Sequence, residues 1–191
     1  MGTLLDILQS VIIGGMIFLM LLFFNFNMHS VSEDVISNTQ VQSDIVAISS
    51  ILENDFIKIG YHETGDEKIQ VAKLNEIKFL SDIDNNGTVD SIKYYLSDTL
   101  EVKETTNPSD KNLYRKLNNS HHQVVGRVID FSITYYDSTG NLLSYSQLLN
   151  SSARKKISEI GMNLNIESAI MLEEKYSASK WNKKIRIKNL N

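Results

Sequence analysis

Val11 to Phe24 form an uninterrupted run, VIIGGMIFLMLLFF, with no polar side chain. Extending it from Leu4 to Phe26 admits only Asp6, Gln9, Ser10 and Asn25. That makes about 20 apolar-dominated residues, or roughly 30 Å of helix, the thickness of a bilayer's hydrocarbon core. A core helix of a soluble protein rarely sits at the extreme terminus with every face apolar. The run therefore reads as a membrane span. A cleaved secretory signal would need a basic n-region and a small-x-small cleavage site. No Lys or Arg precedes Lys58, and NFNMHSVSED follows Phe24, so the helix is expected to stay attached. Neither flank is basic, which leaves the positive-inside rule without purchase. The short N-terminus instead places the body, from about residue 30, on the outer face.

The helical rhythm does not stop with the span. Val31, Val35, Val41, Ile45, Ile48, Leu52, Phe56 and Ile59 mostly recur every three or four positions, with Glu33, Asp34, Ser43, Asp44, Glu53 and Asp55 between them. No glycine lies between Gly15 and Gly60, and the single proline is Pro108. Nothing obliges the helix to end before Gly60. About 55 residues at 1.5 Å each predict a rod of roughly 80 Å, apolar all round in its first half and amphipathic in its second. The apolar stripe needs cover, which the remaining chain is expected to supply.

That remaining chain reads as strands. Lys68–Leu74 alternates; Ile77, Phe79 and then Thr88–Leu96 flank the turn string DIDNNG. Leu113-Tyr114-Arg115 is a short strand. Val124–Tyr136 is predicted as one long strand, turned at DSTGN and followed by a strand over Leu142–Leu149. Ile157–Glu167 and Trp181–Ile187 complete the set, with polar connections at 101–110 and 172–180. The expected fold class is α+β, a long N-terminal helix packed on an antiparallel β body. Its expected divisions are 1–28 for the membrane half, 29–60 for the amphipathic continuation and 61–191 for the body.

Composition narrows the functions open to such a chain. With 191 residues it can hold one modest domain plus an anchor, and a mean hydropathy of −0.17 excludes a disordered chain. The absence of cysteine excludes disulfides, Cys-zinc sites, iron–sulfur clusters and thiol catalysis. The net charge of −4 argues against a dedicated nucleic-acid binder. Charge is polarised: residues 1–149 carry 10 basic and 19 acidic side chains, whereas residues 150–191 carry 9 and 4. Lys180, Lys183, Lys184, Arg186 and Lys188 could face an acidic partner, though alternating lysines more often protect an edge strand. No Gly-x-Ser-x-Gly elbow or phosphate-binding glycine loop occurs, so no enzymatic activity is expected.

Several motifs follow one another in a familiar order. Gly2-Thr3-Leu4-Leu5-Asp6-Ile7-Leu8 is similar to the Phe-Thr-Leu-Ile-Glu-Leu-Leu start of mature type IV pilins and type II secretion pseudopilins. LENDFIKIGY (52–61) resembles the Leu-x-x-Asp-(hydrophobic)-x-x-x-Gly-Tyr helix end of the minor pseudopilin J and minor pilin W branch. DIDNNGTVDSIKYYL, NLYRKL, VVGRVIDFSITYYDSTG and the final RIKNLN resemble that branch's turn, Leu-Tyr-Arg strand, Tyr-Tyr-Asp hairpin and ending. The resemblance implies a structural subunit that assembles through its N-terminal helix into a pilus or pseudopilus tip. Its implied partners are other pilin subunits, inner-membrane lipid and the assembly platform. The alternative is a monomeric, signal-anchored extracytoplasmic binding domain.

Two features depart from the family pattern. Only Met1 precedes Gly2, where the family carries a basic leader cut after glycine. Either the sequence begins near the mature end or the subunit bypasses leader cleavage. Asp6 also stands where the family carries glutamate, which keeps the charge and shortens its reach.

The resemblance gives Gly2 and Asp6 the assembly role. An ionised carboxylate in hydrocarbon needs a cation or a proton, and the family's acid is thought to meet a neighbouring subunit's N-terminal amine. Otherwise Asp6 is a solvated acid near the positive end of the helix dipole. Gly14 and Gly15 would permit close helix packing in mid-membrane. Asp82, Asp84, Asn86, Gly87 and Asp90 imitate the first nine positions of a calcium loop. Lys93 replaces the bidentate glutamate at position twelve, and the flanks read as strands. An ordinary hairpin turn is therefore favoured over calcium, and no cofactor is expected. His29, His62, His121 and His122 show no metal spacing. Of Tyr94/Tyr95 and Tyr135/Tyr136, one in each pair should be buried and the other outward.

Overall fold

A computed structural model describes residues 2–172 and 174–190. Helix α1 runs unbroken over Gly2–Ile57, 56 residues or about 84 Å, and so stops three residues short of Gly60. Lys58 and Ile59 wind on by single-turn bonds to Asp55 and Phe56 carbonyls at 3.2 and 3.3 Å. Gly60 then takes φ +74°, and a Cβ there would stand 3.1 Å from the Asn189 carbonyl oxygen. Only glycine turns the chain at that point without strain. Asn189, from the last described turn, closes the same corner by donating its side-chain amide to the Ile59 carbonyl at 3.2 Å.

Among the described residues, nine strands follow. The first sheet contains β1 (Ile69–Ala72), β2 (Glu76–Ser81), β3 (Asp90–Leu96), β4 (Lys111–Leu117) and β5 (Gln123–Val128), in that spatial order. The second contains β6 (Asp130–Tyr136), β7 (Leu142–Leu143), β8 (Glu159–Glu167) and β9 (Ala178–Arg186), ordered β7-β6-β8-β9. Every neighbouring pair is antiparallel. A short helix α2 (Ser151–Arg154) and three single turns of 3-10 helix fill the connections. The expected α+β architecture, a long apolar-headed helix on an antiparallel body, is the fold.

Two expected strands are corrected. Val124–Tyr136 is not one strand: it leaves the first sheet after Val128 and enters the second at Asp130, with the Ile129 N–H donated to the Asn165 carbonyl at 2.9 Å. The buried positions are Val128, then Phe131, Ile133 and Tyr135. The step of three between the first two breaks the period of two that one continuous strand requires. Leu142–Leu149 likewise pairs only at Leu142 and Leu143. Beyond them the Ser144 N–H bonds the Gln147 side-chain oxygen at 3.2 Å, and Gln147–Leu149 forms a 3-10 turn that buries Leu148. Local side-chain bonds from polar residues displace the ladder there.

The core lies where the second half of α1 meets both sheets. Val41, Ile45, Ile48, Leu52 and Phe56 face inward at helical spacing. They meet Ile77 and Phe79 of β2, Ile92 and Tyr94 of β3, and Ile160, Met162, Leu164 and Ile166 of β8 within one buried cluster. The Phe56 ring sits 5.7 Å from both the Phe79 and the Tyr94 rings. Gly126 of β5 records how closely the helix approaches: a Cβ there would be 2.3 Å from Ile48 Cδ1. Tyr94 and Tyr135 are fully buried while Tyr95 and Tyr136 are half-exposed, as alternation requires.

Candidate functional site

The feature that distinguishes this molecule is the uncovered half of α1. Residues 2–29 are exposed throughout, and the apolar window that makes the helix long and hydrophobic enough to cross a membrane contains no buried residue. Phe18, Leu19, Met20 and Phe23 are each more than 60 % exposed. Apolar surface of this extent marks a site that meets lipid or other protein. Beyond the span, Val31, Val35 and Val46 continue an exposed apolar face beside the buried stripe.

Ser10 and Asn27 bond back to the helix's own carbonyls, at Ile7 and Phe23. Asp6 lies in the second turn, exposed, and among the described residues it makes no ion pair. Around Gly14 and Gly15 nothing lies within 4 Å of where a Cβ would be. Folding of the single chain therefore does not demand glycine at either position. Gly2 opens the helix and is equally unencumbered.

The rod is fixed to the body by a buried charge that the periodicity did not single out. Asp55 is 3 % exposed. Its Oδ2 accepts the Tyr94 hydroxyl at 2.6 Å and Arg115 Nε at 2.6 Å. Burial would disfavour the guanidinium charge of Arg115, but the carboxylate bond and charge outweigh it and push that group's pKa up. Burial and the nearby Asp55 charge push the Tyr94 phenol far above its ordinary value, so it remains a donor. Helix α1 is thus joined through one oxygen to β3 and β4. Position 55 stands three after Leu52 and four before Ile59, beside the buried stripe, but spacing alone does not separate it from the acids Asp44 and Glu53 on the same helix.

The calcium-like string is assembled differently from its imitation. One carboxylate oxygen each from Asp82, Asp84 and Asp90 lies within 4.8 Å of the others. Asp82 is fully buried, and its Oδ1 accepts the Asn86 N–H at 2.9 Å. Its Oδ2 accepts the Gly87 N–H at 2.9 Å and lies 2.8 Å from His62 Nδ1. Burial alone would raise this carboxyl's pKa; the bonds from His62, Gly87 and Asn86 outweigh it and hold the group below the usual carboxylate range. Asn86 does not face the cluster as a free acceptor: its oxygen receives the Thr88 N–H at 2.7 Å. Asp90 accepts from the Asn118 amide at 2.7 Å, and Lys93 turns to Glu76 at 2.8 Å. Protein donors therefore close this β2–β3 turn, with Gly87 at φ +84°.

The basic C-terminal cluster divides across strand β9. Lys183 faces α1 and pairs with Glu53 at 2.7 Å; Lys184 faces outward, pairs with Glu159 at 2.6 Å and lies 3.8 Å over the Tyr136 ring. Lys180, Arg186 and Lys188 make no ion pair among the described residues. The histidines do not gather: His62 stacks on Tyr61 with ring centres 3.9 Å apart, and His122 meets the Tyr114 ring edge-on at 4.6 Å. No family model, curated protein or solved structure matches this chain.

Proposed function

We propose that the chain is a structural subunit of the pilin and pseudopilin kind, inserted in the cytoplasmic membrane by residues 2–28 with its β body on the outer face. The observation that carries this reading is the two-part helix. One half is apolar and uncovered on every side, and the other is locked to a sheet by Asp55 and a continuous buried stripe. An anchor alone needs only about 20 apolar residues. A stiff extension of about 45 Å beyond Phe26, rigidly joined to the body, suits a part whose helix packs among others and whose body is carried at a set distance.

In that reading Asp6 supplies the polar contact of assembly. A carboxylate at membrane depth that makes no ion pair among the described residues is stabilised when a neighbouring subunit's N-terminal amine approaches it. Gly14 and Gly15 let a neighbouring helix come close, or let the helix bend. Val31, Val35 and Val46 extend the same contact above the membrane. The partners are other subunits bearing apolar N-terminal helices, and the tip of the filament is the place the resemblance suggests.

The test is recovery of the full-length chain from its native membranes under mild detergent. Other apolar-headed subunits should accompany the unaltered protein. Asp6→Ala should insert in the membrane yet lose them, and Asp6→Glu should keep them. An unaltered chain that is always recovered alone would overturn the assembly reading and leave a monomeric anchored domain.

A further inference from the structure

Lysines 78, 93 and 116 form a single cross-strand row. Lys78 of β2 is the register partner of Lys93 of β3, and Lys93 is the partner of Lys116 of β4. Neighbouring strands lie about 4.8 Å apart, so three ammonium stems rise side by side from the face of the sheet turned away from α1. Like charges directly opposite one another destabilise a sheet. A row of this kind calls for a reason.

Protection of a sheet edge is not that reason. Lysines on edge strands discourage pairing with other chains, but β2, β3 and β4 are the three interior strands of the sheet. Internal neutralisation is not the reason either. Glu76 is the carboxylate that meets the row, at 2.8 Å from Lys93, and its other oxygen holds Lys73 at 2.7 Å. Among the described residues, Lys78 and Lys116 make no ion pair. The row lines an open cavity of 460 Å³ together with Ser91, Asn118 and Asn119. Positive charge is thus concentrated in a concave place within the part of the chain that is otherwise acidic.

We propose that this cavity binds a linear oligophosphate anion of two or three phosphate groups. Ammonium groups act as compact point charges and suit phosphate oxygens approached from many directions, whereas planar carboxylates favour the forked guanidinium. The arginine of β4, Arg115, is turned to the opposite face and committed to Asp55. Three lysines over about 10 Å match several phosphates in a line better than a single one. Headgroups of the bilayer around α1 are out of reach. The sheet packs on the Phe56 end of the helix, 30 residues and about 45 Å beyond Phe26.

The experiment titrates sodium tripolyphosphate into the full-length chain in detergent micelles by calorimetry at low ionic strength. One equivalent should bind, and Lys78→Gln and Lys116→Gln should each weaken binding about tenfold, as expected for one lost bond to a charged group. Lys180→Gln in β9 with Lys188→Gln in the turn beyond it, which together remove more charge than either row variant, should change nothing. Both row variants should melt no lower than the unaltered chain, because each relieves repulsion. Lys116→Arg, which keeps the charge, should retain affinity. No binding, or equal weakening by the Lys180→Gln/Lys188→Gln control, would overturn the proposal. So would binding confined to a thymidine oligonucleotide and sensitive to Tyr95→Leu, since that would make the face a nucleic-acid platform instead.

Discussion

Asp55 and Arg115 lie sixty residues apart in sequence and meet at 2.6 Å, with the Tyr94 hydroxyl on the same carboxylate oxygen. This contact joins the end of the long helix to β3 and β4, the adjacent strands that carry Tyr94 and Arg115. The side chain of Arg115 is 18 % exposed and that of Asp55 4 %, so neither charge has much water to fall back on. Removing one member leaves the other buried and unpaired, which is far worse than removing both.

Arg115→Met should therefore destabilise the body by about 3 kcal/mol, and Asp55→Leu by a similar amount. The double variant should recover much of that loss. Denaturant unfolding of the four proteins, arranged as a double-mutant cycle, measures the coupling. Additive losses would show that the pair contributes no more than its separate side chains.

Close packing of α1 on β5 makes a second prediction. Gly126→Ala places a methyl group against Ile48 Cδ1 and should cost about 1–3 kcal/mol, the range for overpacking a filled core. Ile48→Val removes Cδ1 but keeps Cγ1, which would stand 2.7 Å from the new methyl, so the double variant should recover only part of the loss of Gly126→Ala. Melting temperatures of the three variants check the order.

Acid sensitivity should arise in the turns. Asp137, at the β6–β7 hairpin, is held at about 2 by its bonds to the Thr139 hydroxyl, the Asn141 N–H and the Thr139 N–H, against the opposing effect of burial. Asp82 is also held below its ordinary value. A carboxyl whose folded pKa is depressed contributes stability that is present above its unfolded value of 3.8, the same for both groups. That contribution is lost as pH falls through the folded value. Asp137→Asn should lower stability at neutral pH, where the carboxylate's contribution is fully present, and flatten the stability curve between pH 3.8 and about 2. A carboxyl titration of Asp137 near 3.8 in the folded protein would contradict the assignment.

The long helix and most strands were legible because their periods are unambiguous: Val41 to Phe56 at helical spacing, and β8 with Ile160, Met162, Leu164 and Ile166 at every second position. The handover at Ile129 was hidden because Val124–Tyr136 is rich in strand-forming residues on both sides of it, and only the three-residue step from Val128 to Phe131 betrays the change of sheet. Strand Leu142–Leu149 failed for a local reason, the Ser144 and Gln147 side chains. Asp6, Gly14 and Gly15 could be picked from sequence because they interrupt a uniform apolar run. Asp55 could not be told from its surface neighbours Glu53 and Asp44, since its meaning depends on Arg115, sixty residues away. The lysine row was invisible for the same kind of reason: 78, 93 and 116 become neighbours only through strand register.

The helix itself admits the most direct test, because the chain has no cysteine of its own. Single cysteines placed along α1 in the full-length protein, in native membranes, can be probed with a membrane-impermeant maleimide. Substitutions between Val11 and Phe24 should resist labelling, Val31→Cys and Val46→Cys should label readily, and Ile48→Cys and Leu52→Cys should again be shielded by the sheets. Uniform labelling from Val11 through Val46 would show that water surrounds the first half of the helix, and the account of a rod set in lipid and seated on a β body would be contradicted.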